Sequence, residues 1–160
     1  MTNTKKYITR IAISIAVCLL IATLSGFATK SSVDTWYATL NKPSFTPPNW
    51  LFAPVWTVLY IMMGTAAGIV WARGFYHKWV KTALYHFGFQ LLLNGMWSIV
   101  FFGFNKPLIG LLISIALIVL ILLTIKWFKV VNKISAYLMI PYLLWVCFAT
   151  VLNFSIWQLN

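Results

Sequence analysis

Three sets of residues in this chain fall at spacings that gather aromatic rings and carboxamides onto common faces. Gln90, Asn94, Trp97, Ser98 and Phe101 recur three or four apart, as do Tyr142, Trp145, Ala149 and Asn153. Trp56 and Tyr60 lie one turn apart and follow Trp50. Positions three and four apart share one side of a helix. The chemistry open to such groups is narrow. Carboxamides donate and accept hydrogen bonds without exchanging protons, and indoles stack and donate a single N–H. Tryptophan is also the most readily oxidised aromatic side chain. The one acid in the chain is Asp34. No carboxylate pair, nucleophile–base set or phosphate-binding loop can be assembled. A reaction at these faces would be carried by the aromatic residues or by the ligand itself.

The elements that must position these residues are membrane spans. The chain has 160 residues, of which 62% are hydrophobic, 18% aromatic and 8% charged, against roughly one-quarter charged in a soluble domain. Five apolar segments, near residues 7–28, 49–72, 79–103, 107–126 and 134–157, predict a single all-α domain, a bundle of five transmembrane helices. Each has about the 20 residues that a bilayer core of about 30 Å requires. Thr46 and Pro47 predict the start of the second helix, and Arg73-Gly74 its end. Asn105-Lys106-Pro107 and the stretch from Lys126 to Lys133 predict the later breaks. Pro54 and Pro141 fall inside helices and predict local kinks.

Charge sets an orientation. Five crossings put nine basic residues (Lys5, Lys6, Arg10, Arg73, Lys78, Lys81, Lys126, Lys129, Lys133) on one side and three (Lys30, Lys42, Lys106) on the other. The positive-inside rule predicts a cytoplasmic N-terminus and an outward first loop. The net charge of +11 is read as topology; spread over several loops, it forms no nucleic-acid patch. Lys5, Lys6 and Arg10 before an apolar run also resemble a signal peptide. The retained-helix reading rests on Ser14, Cys18, Ala22 and Gly26, whose spacing of four gives a smooth packing face. Gly64 and Gly68 form G-x-x-x-G, read as packing within the bundle ahead of a dimer face. Cys18 and Cys147 read as buried free thiols. No metal site is predicted. His86 alone invites an axial haem-ligand reading, beside the plainer one of polar packing. Trp71, Trp79, Trp127 and Trp157 sit near helix ends as interfacial anchors.

The segment from Trp36 to Tyr60 is rich in proline and tryptophan and predicts a stiff lid, because irregular backbone at membrane depth must pack on protein. With 1.5 Å of rise per residue, Trp97 and Asn94 lie roughly 9 and 14 Å below the end of the third segment. Asn153 and Ala149 lie roughly 6 and 12 Å below the end of the fifth, and Trp56 about 10 Å below the start of the second. The three faces therefore converge beneath the first loop. They predict an aromatic pocket with a few amides, suited to a large, flat, apolar ligand. The same patterns also serve plain helix packing.

Several runs carry a resemblance: Trp36-Tyr37, Lys42-Pro43, Pro47-Pro48-x-Trp50, Pro54-Val55-Trp56 and Leu59-Tyr60. It continues in Gln90-x-x-x-Asn94-x-x-Trp97, Phe101-Phe102-Gly103, Pro141-Tyr142-Leu143-x-Trp145 and Phe148-Ala149-Thr150-x-Leu152-Asn153. In this order, over nearly the whole chain, they resemble the TspO family of tryptophan-rich sensory and translocator proteins, once called peripheral benzodiazepine receptors. The resemblance implies a five-helix bundle, commonly a homodimer. It implies binding of porphyrins such as protoporphyrin IX, and of synthetic isoquinoline and benzodiazepine-type compounds, in a pocket under the first loop. It also implies light-dependent porphyrin breakdown, with no further cofactor required. Carried over, the ligand site comprises Trp50, Trp56, Tyr60, Gln90, Asn94, Trp97, Tyr142, Trp145, Ala149 and Asn153, with Trp50 and Trp145 as the reactive tryptophans. The alternatives are a tetrapyrrole or lipid transporter, or a ligand-responsive sensor or scaffold without catalysis. The implied location is a bacterial plasma membrane, or a mitochondrial outer membrane in a eukaryote. Animal members end the fifth helix with a sterol-recognition tyrosine and arginine. Phe154 and Gln158 stand there instead, which argues against a sterol as the native ligand.

Overall fold

The computed structural model of the protein describes residues 3–160, and these are helical with no strand among them. The helices are α1 (Asn3–Asp34), α2 (Trp36–Thr39), α3 (Asn49–Ala72), α4 (Lys78–Ser98), α5 (Pro107–Val131), α6 (Lys133–Leu138) and α7 (Ile140–Leu159). Four stretches are long and apolar enough to cross a membrane: α1, α3, α5, and α6 together with α7. The expected third crossing, α4, is not among them, because Lys78, Lys81, His86, Gln90 and Asn94 dilute its apolar character. It nonetheless packs along α5, α1 and α3 within the bundle.

Local chemistry explains the breaks. Pro48 is extended (ψ 144°) and α3 begins after it, without a side-chain cap. Thr46 is therefore not the cap that the sequence suggests; its hydroxyl donates to the Pro43 carbonyl at 2.8 Å. Gly74 stops the chain after α3 at φ 109°, a conformation that only glycine adopts freely. Helix α5 runs through Lys126 and Lys129 to Val131 instead of ending at Lys126. Burial of Phe128 holds that last turn in place, while the lysine stems lie along the surface with their heads free to reach water. Asn132 then breaks the helix and its side chain accepts from the Ser135 N–H at 3.1 Å. Pro141 divides the fifth apolar segment at Met139, whereas Pro54 leaves α3 continuous.

Helices α1 and α3 run antiparallel, with Ile11 against Gly68 and Ile15 against Gly64. A Cβ on Gly64 would lie 2.5 Å from Ile15 Cα, and one on Gly68 would collide with the Ile11 backbone. The G-x-x-x-G pair is thus where α1 and α3 touch backbone to backbone. Arg10 closes the same end, donating from Nη1 to the Trp71 carbonyl at 3.0 Å. The core below the loop end joins Cys18, Tyr60, Met63, Phe87, Phe128 and Tyr142. Cys18 is buried and Cys147 half-buried, both as free thiols.

Candidate functional site

The loop end of the bundle holds a cavity of about 790 Å³, within the range of small-molecule sites. Its walls come from α1, α2, α3, the end of α4 and α7. Trp56 stands at its centre. The Trp56 ring lies 5.8 Å from Tyr60, 6.3 Å from Trp97, 6.3 Å from Tyr142 and 6.4 Å from Trp145, centroid to centroid. The end of α4 widens into a π-helical turn at Ile99–Gly103, where the Phe104 N–H donates to Ile99 O at 3.0 Å. The wider turn redistributes side chains around the axis, and Phe101 and Phe102 both reach the cavity wall. Phe101 stacks on Trp97 at 5.8 Å.

Beneath these rings lies a directed chain of hydrogen bonds. The Tyr60 hydroxyl donates to Asn94 Oδ1 at 2.6 Å, Asn94 Nδ2 donates to the Tyr142 hydroxyl at 2.8 Å, and that hydroxyl donates to Gln90 Oε1 at 2.8 Å. Gln90 Nε2 closes the chain on Met63 Sδ at 3.9 Å. Buried polar groups without such partners would each cost several kcal/mol in an apolar setting, so the four side chains fix one another. A second pair sits higher. Trp97 Nε1 donates to Asn153 Oδ1 at 3.2 Å, and Asn153 Nδ2 donates to the Pro107 carbonyl at 2.8 Å. This ties α4, α5 and α7 together where Gly110 leaves room for Phe101 and Asn153. The Trp145 indole nitrogen is buried without a hydrogen-bond partner, turned away from the open space although the residue lines the cavity.

Trp56, Tyr60, Asn94, Trp97, Trp145, Ala149 and Asn153 all line this cavity. Gln90 and Tyr142 do not; fully buried, they stand behind Asn94 and hold it. Trp50 does not line it either. It is 72% exposed on the first turn of α3. Residues 40–48 of the first loop contribute no lining side chain. That loop is pinned at its flank, where the Asn41 N–H donates to Asn160 Oδ1 at 3.0 Å and Asn160 Nδ2 returns to the Asn41 carbonyl at 2.9 Å. Tyr37 from α2 does face the cavity, and burial pushes its phenol pKa above the ordinary value, so it stays neutral.

The α1 wall is absent from the expected site. Ala22, Gly26, Lys30 and Asp34 border the cavity. Their spacing of four continues the stripe that begins at Ser14 and Cys18, which is the signal that marks them. Its upper half does not pack closely, as the small residues had suggested; a Cβ on Gly26 would meet nothing within 4 Å. The reason is that α1 and α3 touch at Gly64 and Gly68 and enclose space beyond them. His86 lies away from the cavity, its Nδ1 2.8 Å from the Thr82 carbonyl, which requires Nδ1–H, and its ring beside Trp127. Among the described residues no three His, Cys, Asp or Glu side chains gather as a metal site would require.

The family model described as TspO/MBR matches residues 14–158 of the chain. This chain belongs to the TspO/MBR family. Its relatives include the tryptophan-rich protein TspO of Archaeoglobus fulgidus, 46% identical over 96% of this chain and 98% of that protein. The tryptophan-rich protein TspO of Chlorobaculum tepidum is 44% identical over 97% and 98%. The human translocator protein is 38% identical over 78% and 75%. Family membership and four apolar spans make the chain an integral membrane protein.

Proposed function

We propose that this TspO-family protein binds a tetrapyrrole such as protoporphyrin IX in the α1–α3–α4–α7 cavity and promotes its light-dependent breakdown. The observation that carries the reading is the cluster of Trp56, Trp97 and Trp145 around one cavity of about 790 Å³. Large flat rings gain most from stacking on aromatic faces. In this reading α4 is a fifth membrane span, with Gln90 and Asn94 directed into the bundle, and Tyr37 of α2 borders the outward end of the cavity. Synthetic isoquinoline and benzodiazepine-type compounds occupy the same cavity, and the bundle pairs as a homodimer in the membrane.

The reaction draws on the ligand. The bound ring absorbs light, and dioxygen is the oxidant. The protein contributes a dry cage and two indoles in contact with the ring, Trp56 and Trp145. Trp50 stands outside the cavity and serves as the control position. The test is purified protein with protoporphyrin, illuminated or dark, with product analysis. Trp56→Phe and Trp145→Phe keep bulk and stacking while removing the indole. The double variant is expected to bind the ring and lose light-dependent turnover, with Trp50→Phe retaining it. Normal turnover in the double variant would reduce the reaction to simple photosensitisation and favour a carrier or sensor.

A further inference from the structure

The cavity wall carries one basic side chain, Lys30, and one acidic side chain, Asp34, among the described residues. Both sit near the end of α1, one helical turn apart. Neither side chain has a hydrogen bond or an ion pair among the described residues. The other lysine of the adjoining loop is engaged, since Lys42 lies 4.6 Å from the Tyr37 ring centroid and donates to the Leu40 carbonyl at 3.4 Å. Lys30 is thus the cation that the cavity offers to a ligand.

Its height in the cavity is as informative as its charge. On α1 the cavity runs from Leu19 to Asp34, and Ser25, whose Oγ would be 3.3 Å from a Cβ on Gly95, one residue beyond Asn94, stands partway up. Lys30 stands five residues further along α1, roughly 8 Å nearer the loop end, and its side chain reaches several ångströms more. Gly26, one turn below it, leaves the intervening space open. A ligand with its apolar body against Trp56 and Trp97 would place a terminal acid group at that level. Lys30 and Asp34 are themselves exposed, so the acid group would sit at the mouth of the cavity, where a lysine attracts it through a partly screened charge.

We propose that Lys30 anchors a carboxylate at the upper end of the bound ligand, so that the cavity selects amphiphiles with a flat apolar body and an acidic tail. This rests on the tetrapyrrole reading and names the part of the ligand that the aromatic cage does not explain. Asp34 opposes the same anionic group from one turn away. A lysine that merely snorkels to the membrane surface would look alike in the free protein but would not distinguish an acid from its ester.

The test uses the full chain in lipid nanodiscs, titrated in the dark by quenching of tryptophan fluorescence, with empty nanodiscs as the blank. The probes are protoporphyrin, which carries two carboxylates, and its uncharged dimethyl ester. Lys30→Gln is expected to weaken the free acid about three- to fivefold, the upper range for an exposed ion pair, and to leave the ester unchanged. Lys30→Arg should retain the acid, and Asp34→Asn should bind it more tightly while treating the ester as the parent does. Equal losses for acid and ester in Lys30→Gln would show a structural role and overturn the anchor. So would no loss for either. Failure of the parent protein to bind acid and ester alike would overturn the tetrapyrrole reading and the anchor with it.

Discussion

Tyr142 shows how much one hydroxyl can organise in a membrane interior. It accepts from Asn94 and donates to Gln90, so its removal strands a donor and an acceptor together. Tyr142→Phe is expected to lower stability by about 1–3 kcal/mol, seen as a lower thermal midpoint in detergent, with the cavity walls otherwise in place. Asn94→Leu breaks two bonds of the same chain, so a loss of ligand in that variant would mix binding with folding. The spacing of Asn94, Trp97 and Asn153 alone placed these residues on common faces. What spacing does not contain is which way a face turns about the helix axis. Trp50 and Trp56, six residues apart on α3, lie about 120° apart around its axis. Which of the two faces inward is what the spacing leaves open: the first points outward and the second into the cavity. Nor does an amide in a sequence declare whether it touches a ligand or braces a neighbour, as Gln90 does.

At the scale of elements, the α1–α3 contact is the one with least tolerance. The backbones meet at Gly64 and Gly68, so Gly64→Ala and Gly68→Ala are each expected to cost about 1–3 kcal/mol through overpacking. Gly88 in α4 has open space around it, and Gly88→Ala should be neutral or gain up to about 1 kcal/mol of helix stability. Equal effects of all three on thermal unfolding in detergent would remove the close contact from the account. The all-helical class was legible because apolar runs of about 20 residues separated by Gly, Pro and Asn admit little else in a bilayer. The finer features were not. The π-helical turn at Ile99–Gly103 leaves no pattern in the sequence, and Lys126 and Lys129 look like a loop although the helix continues beneath them. The α1 wall was missed because a stripe of small residues reads equally as a packing face and as the lining of a void.

For the whole molecule, the charges and the cavity make linked claims. Nine of twelve basic residues fall on one side if the chain crosses five times, so a reporter after Asn160 should lie outside the cytoplasm and one between Arg73 and Lys81 within it. Labelling of both on the same side would mean an even number of crossings, with α4 lying inside the bundle without spanning. The central claim, that a flat aromatic ligand occupies the cavity at the loop end, is tested most directly by filling that cavity. Ala149 lines it, and Ala149→Trp would project an indole into the space the ring needs. Protoporphyrin titrated into the parent protein in nanodiscs should quench tryptophan fluorescence saturably. The Ala149→Trp variant, still helical by circular dichroism and eluting as the parent does, should show no saturable quenching. An unchanged titration curve in that variant would place the ligand outside the bundle and contradict the account.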